Sequence, residues 1–87
     1  MNEETLIRLA REALDESGHS AWGIWYAKVN PENGRRTLVF RDENGHHLAV
    51  PTTPDEALIS HEPGLDDDGL CRRAKEEIIR KLREDAR

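Results

Sequence analysis

The apolar residues near the start of the chain recur with the period of an α-helix. Asn2 can cap such a helix, and Gly18 suits the left-handed position that follows a helix end. The spacing therefore predicts a first helix from Glu3 to Ser17 that packs one face on a core. The apolar stripe of this helix consists of Leu6, Ala10, Ala13 and Leu14.

Residues 21–50 instead have the composition and the turn residues of short β-strands. The segment Ala21–Val29 is rich in Trp, Ile, Tyr and Val, which are enriched in strands. Asn-Gly pairs at 33–34 and 44–45 favour tight turns, and the segments Arg36–Arg41 and His46–Val50 follow them. The sequence thus predicts a three-stranded antiparallel meander that Pro51 ends.

The last third of the chain predicts two further helices. Residues 53–56 read Thr-Pro-Asp-Glu, which makes Thr53 an N-cap and lets Glu56 reach back to the cap amide. A short helix to about Ser60 follows, and a long helix covers Gly69–Asp85. The predicted fold class is α+β: an N-terminal helix, a three-stranded antiparallel β-meander, a short helix, and a long C-terminal helix packed on the sheet.

Length and composition limit the size of the core. The chain has 87 residues, of which 36% are hydrophobic and 36% are charged, so we expect a single small domain over residues 1–87 with a thin core. No apolar run has the length that crosses a membrane, and the first residues are acidic and amphipathic, unlike a signal peptide. We therefore expect a cytoplasmic protein without membrane contact.

The negative charge is concentrated in one segment. The chain carries a net charge of −5, and residues 51–70 contain six Asp or Glu and no Lys or Arg. Residues 51–69 are therefore predicted to be an acidic connector that contains the short helix. Asp66, Asp67 and Asp68 in this segment are candidates for binding a basic partner surface.

The aromatic residues of the first strand are the second candidate binding site. In a regular strand Trp22, Ile24 and Tyr26 point to one face, while Trp25 and its alternate neighbours point to the other. Both faces of the sheet would then be apolar and would need cover, from the chain's own helices or from a partner. A bulge would change these face assignments. We predict that Trp22, Trp25 and Tyr26 contact another protein or a second copy of the chain.

A basic run opens the last helix, at Arg72, Arg73 and Lys75. The order helix, three strands, helix resembles that of double-stranded RNA-binding domains, which carry a basic cluster at the start of the second helix. Residues 69–75 are one position out of register with the Ser-Lys-Lys-x-Ala-Lys run of that family, and three aspartates precede them. These residues are the candidate nucleic-acid site in an alternative interpretation, but nucleic acid is not the expected partner.

The residues do not form a pattern that indicates catalysis or metal binding. Cys71 falls on the apolar stripe of the last helix, where burial would keep its thiol inert. His46 and His47 are adjacent on a predicted strand and point to opposite faces, so they do not form a metal pair. We expect no enzyme activity, catalytic residue, metal, cofactor or small-molecule substrate. The predicted function is that of a small non-enzymatic interaction protein: an adaptor, an inhibitor or a regulatory module, either alone or as a homodimer.

Overall fold

A computed structural model describes residues 1–85 of the chain. Its elements are, in order, α1 (Glu3–Glu16), β1 (Gly23–Val29), β2 (Arg36–Arg41), β3 (His47–Pro51), α2 (Asp55–His61) and α3 (Asp67–Asp85). The strands form one antiparallel sheet in the order β1-β2-β3. The predicted α+β fold, with the long C-terminal helix packed on a three-stranded sheet, is confirmed.

Helix α1 begins at the predicted residue and ends one residue early. The Asn2 side-chain oxygen accepts a hydrogen bond of 2.9 Å from the Thr5 amide, which satisfies one of the free donors of the first turn. The helix ends at Glu16, one residue before the predicted end, because Ser17 is its C-cap. Gly18 then adopts a φ of 83°, the left-handed conformation in which glycine is favoured.

The core lies between one face of the sheet and the two long helices. Leu38 and Phe40 alternate with exposed residues along β2, and Val50 pairs with Leu38 on the same face. They form one buried cluster with side chains from both helices, mainly Leu6, Leu14, Ile78 and Leu82. Because successive side chains of a strand point to opposite faces, this packing leaves the other face of β2 uncovered.

Helix α2 differs from its prediction. Thr53 does not cap it, and the Thr53 amide, from which Glu56 would accept in a capping box, instead donates its hydrogen bond to the buried Glu77 carboxylate of α3. Pro54 takes the N-cap position without a side-chain hydrogen bond, and the helix continues to His61, one residue beyond the predicted end. The Thr53–Glu77 contact with α3 therefore replaces one half of the predicted capping box. No residue of α2 is buried.

Helix α3 begins at Asp67, two residues before the predicted start. The Asp66 side chain accepts a hydrogen bond of 2.7 Å from the Gly69 amide, and Asp67 and Asp68 occupy the positive end of the helix dipole. The prediction that Cys71 is buried is wrong, since this residue is half-buried. It lies at the side of the apolar stripe, beside the first turns of α1.

A charged pair lies within the buried face of the sheet, where the sequence predicts only apolar residues. Arg36 begins β2 on the same face as Leu38, and its side chain is fully buried. The Arg36 Nε atom is 3.5 Å from Asp55 Oδ1, and the Met1 amino group is 3.3 Å from Asp55 Oδ2. Asp55 therefore neutralises buried positive charge and joins the start of α2 to the sheet.

No helix among the described residues combines the length and the apolar content that a membrane crossing requires.

Candidate interaction surface

A β-bulge in β1 changes which side chains reach each face of the sheet. Ile24 pairs with Phe40, but Tyr26 pairs with Val39, so Trp25 is an extra residue in the register. The predicted alternation, which placed Trp25 and Tyr26 on opposite faces, is therefore wrong. The physical reason is that a bulge places two residues of one strand opposite a single residue of the neighbouring strand. The side chains after the bulge then change face, so Tyr26 reaches the same face as Trp25.

The bulge brings two aromatic side chains to the face that points away from the helices. Trp25 is 57% exposed and Tyr26 is 44% exposed, whereas Ile24 is partly buried against the core. We call this side of the sheet the open face. Its strand residues are Gly23, Trp25, Tyr26 and Lys28 of β1, Thr37, Val39 and Arg41 of β2, and His47, Ala49 and Pro51 of β3.

The aromatic rings of the open face form a stacked arrangement. Trp25 reaches over β2 and stacks on His47 of β3, with a ring-centroid distance of 4.3 Å and an interplanar angle of 24°. The Tyr26 ring lies 6.3 Å from the Trp25 ring. Stacking of this kind fixes the orientation of the rings and stabilises an aromatic pair by about 0.5–1.5 kcal/mol. The open face therefore presents an aromatic centre of Trp25, Tyr26 and His47, in which the Trp25 and Tyr26 rings are tilted by 44° and the Trp25–His47 stack joins the two edge strands.

Positive charge borders this aromatic centre on two sides. Lys28 is in register with Thr37 at one end of the open face, and Arg41 is in register with Gly23 at the other. Neither Lys28 nor Arg41 forms an ion pair with another of the described residues. The strands contribute these two cations and no Asp or Glu to this face, whereas the whole chain has a net charge of −5.

The turn between β2 and β3 holds the Arg41 end of the open face in place. The Asp42 carboxylate accepts backbone hydrogen bonds of 2.9 Å from Asn44 and 2.8 Å from His46. Partial burial of the Asp42 carboxyl acts to raise its pKa, but these two hydrogen bonds and the nearby His46 ring outweigh burial, and the pKa lies below its ordinary value. Gly45 closes the turn with a φ of 85°.

Trp22, the third aromatic residue predicted to bind a partner, lies elsewhere. It precedes β1 and packs against the core. Its ring meets the His19 ring edge-to-face, with 4.6 Å between centroids. The structure therefore separates Trp22 from Trp25 and Tyr26, and gives it a packing contact on the helical side of the sheet.

The three predicted acidic residues also lie away from the open face. Asp66 is engaged in the first turn of α3, while Asp67 and Asp68 are exposed beside the start of α1. Helix α3 packs on the buried face of the sheet, with Ile78 and Leu82 in the core. Trp25 and Tyr26 thus lie on the opposite side of the sheet from the acidic candidates.

Two members of the basic run at the start of α3 form ion pairs within the chain. Lys75 Nζ is 3.0 Å from a Glu16 carboxylate oxygen, and the hydrogen bond to Glu16 raises the pKa of Lys75. Arg73 pairs with both Glu62 and Glu76. Arg72 is exposed. Because these ion pairs neutralise Arg73 and Lys75, the run offers phosphate groups less positive charge than the sequence pattern indicates.

Sequence reasoning singled out Trp25 and Tyr26 but missed the other main residues of the open face, Lys28, Arg41 and His47. A signal for the open face was present in β2, where Thr37, Val39 and Arg41 alternate with Arg36, Leu38 and Phe40.

No group of His, Cys, Asp or Glu within residues 1–85 has the arrangement of a metal site. Comparisons of the chain with protein-family models, curated proteins and solved structures found no match.

Proposed function

We propose that this protein is a small non-enzymatic interaction module that binds a macromolecular partner through the open face of its sheet. The observation that carries the proposal is the exposure of Trp25 and Tyr26 beside each other on a face without acidic residues. Exposed aromatic side chains on a shared surface are typical of binding sites, because their burial by a partner releases a large apolar area from water.

The composition of the open face agrees with a binding role. Trp, Tyr and Arg are the residue types most enriched among those that dominate binding energy at interfaces, and the face holds Trp25, Tyr26 and Arg41. The Trp25–His47 stack is formed without a partner, so less side-chain freedom is lost on binding.

The charge of the face argues against a second copy docked on it face to face. A two-fold arrangement of that kind brings the Lys28 and Arg41 side chains of both copies to one interface that contains no acidic strand residue. We therefore expect the 10.0 kDa chain to be monomeric in size-exclusion chromatography with light scattering. A dimer that Trp25→Ala dissociates would instead identify the second copy as the partner.

Site-specific photocrosslinking in the source cells tests the proposal. A photoreactive phenylalanine derivative at Thr37 or Ala49, both exposed on the open face, is expected to give a discrete crosslinked adduct. The same derivative at Glu12, on the exposed side of α1, is the matched control and is expected to give none. Equal adducts from all three positions, or none from the open face, contradict the proposal.

A further inference from the structure

We infer that the partner of the open face is single-stranded nucleic acid, whose bases stack on Trp25 and Tyr26 while its phosphates contact Lys28 and Arg41. This inference rests on the proposed function, because it uses the same surface and names its ligand. It concerns a different surface from the basic run of α3, where three aspartates precede the positive residues and ion pairs engage two of them.

The aromatic centre fits the flat faces of unpaired bases. Proteins that bind single strands combine aromatic platforms with a positive surface that follows the backbone. The Trp25 ring is already stacked on His47, and the Tyr26 ring lies 6.3 Å from it at a tilt of 44°. Nothing lies within 4 Å of the position that a Cβ atom at Gly23 would occupy, so the end of β1 next to Trp25 is open to a ligand.

The two positive residues are spaced to reach two phosphates that are several nucleotides apart on one strand. Arg41 lies four residues along β2 from Thr37, which is in register with Lys28, and this corresponds to about 13 Å at the rise of a strand. A strand with one phosphate per 3.4 Å in its helical form covers that distance with about four nucleotides, and a stretched strand with fewer. Every nucleotide contains a base and a phosphate. The bases can therefore stack on the aromatic centre while the phosphates contact the cations at its ends.

Charge complementarity favours a polyanion over a neutral surface. The strand residues of the open face include Lys28 and Arg41 but no Asp or Glu, and Asp42 and Glu43 follow Arg41 in the turn. The first-turn carboxylates of α3 lie on the other side of the sheet. A duplex buries its base faces in its own stack, so it offers the phosphates but not the stacking contacts. The expected preference is therefore for single strands.

Fluorescence anisotropy with a labelled oligothymidylate of about 12 nucleotides, within the usual site sizes, tests the inference. We expect saturable binding at low salt. The logarithm of the association constant should fall with the logarithm of salt concentration, with a slope of about −1.4 for two neutralised phosphates. Trp25→Ala should weaken binding by about 5- to 150-fold, the effect of losing one stacked base.

Two control variants locate the binding site on the open face. Trp22→Phe retains an aromatic ring beside His19 and leaves Trp25 as the only tryptophan of the chain. This variant should bind the oligomer normally, and stacking of a base should quench its remaining fluorescence. Arg72→Ala removes one positive charge from α3 and should leave the affinity unchanged, whereas Arg41→Ala should reduce both the affinity and the salt slope.

Several outcomes would overturn the inference. They are the absence of saturable binding to oligothymidylate and oligouridylate at low salt, equal affinity for a duplex, or binding that Trp25→Ala and Tyr26→Ala leave intact in variants whose circular dichroism is native. If oligonucleotides do not bind while Thr37 and Ala49 still crosslink to a protein in cells, the ligand is a protein. In that case the inference fails and the proposed function stands.

Discussion

The two faces of the sheet are made from the same three strands, yet they have different chemistry. The face toward the helices holds Leu38, Phe40 and Val50, all buried. The open face holds Trp25, Tyr26 and Val39 with cations at its ends. The difference shows that large apolar side chains do not by themselves indicate a core: on one face they fill the interior, and on the other they remain in contact with water.

The largest expected effect compares two aromatic residues of opposite faces. Phe40→Ala should lower the free energy of unfolding by about 3–5 kcal/mol, because it leaves a cavity in the packed core. Trp25→Ala should change it by no more than about 1.5 kcal/mol, the upper value for its stacking contact with His47. Urea denaturation followed by far-UV circular dichroism measures both. If both variants lowered the free energy of unfolding equally, Trp25 would stabilise the fold as much as Phe40 does, and the two faces would not differ in their contribution to stability.

The next effect concerns the charged pair within the buried face. Asp55→Ala leaves the Arg36 guanidinium buried without its counter-ion, so it should lower the free energy of unfolding by about 3 kcal/mol. This value is at the low end for a broken buried pair because the Asp55 side chain is 13% exposed. The double variant Arg36→Leu, Asp55→Leu should recover the part of that loss that comes from the unpaired Arg36 charge, while the Met1 amino group still lacks its counter-ion.

Equilibrium urea denaturation of the single and double variants checks this expectation. The matched control is Glu56→Ala, which changes the neighbouring exposed acidic residue of the first turn of α2 and should have a small effect. A double variant as unstable as Asp55→Ala would show that the unpaired Arg36 charge is not the cause of the loss.

The smallest effect concerns the turn that supports the Arg41 end of the open face. The pKa of the Asp42 carboxyl is lower in the folded protein, so its ionised form stabilises the turn. That contribution is complete above the pKa of the unfolded chain and is lost as pH falls through the folded pKa. Asp42→Asn should remove this part of the pH dependence, which NMR titration of the carboxyl carbon and urea denaturation between pH 2 and 5 would detect. An unchanged acid profile in this variant would show that the carboxylate does not act in the turn.

Local patterns in the sequence predict most of the fold. The Asn2 cap and the helical period of the apolar residues place α1 within one residue, and the bounds Arg36–Arg41 of β2 are predicted without error. These signals depend on residues close together in the chain, where capping and turn geometry act directly. A contact between distant residues overrides them in one place, and a short-range side-chain contact that the pattern did not reveal shifts a helix start in another. Glu77 takes the Thr53 amide from the predicted cap, and Asp66 moves the start of α3 to Asp67.

The candidate surface is less predictable, because it depends on a single irregularity. Trp25 and Tyr26 are conspicuous in the sequence, but simple alternation separates them. Only the register of β1 against β2 shows that Trp25 is the extra residue and that both rings reach one face. Bulges depend on pairing with a neighbouring strand as well as on local composition, so the meander signal alone does not locate this one.

The same bulge has a consequence for solubility. Strand β1 lies at an edge of the sheet, and its sequence, Gly-Ile-Trp-Tyr-Ala-Lys-Val, has the β-propensity and low charge of segments that aggregate by edge-to-edge pairing. An extra residue in the middle of the strand interrupts the regular spacing of backbone donors and acceptors that an incoming strand needs. The irregularity at Trp25 thus acts as a structural gatekeeper against fibril-like association, and Lys28 adds a charge at the same edge.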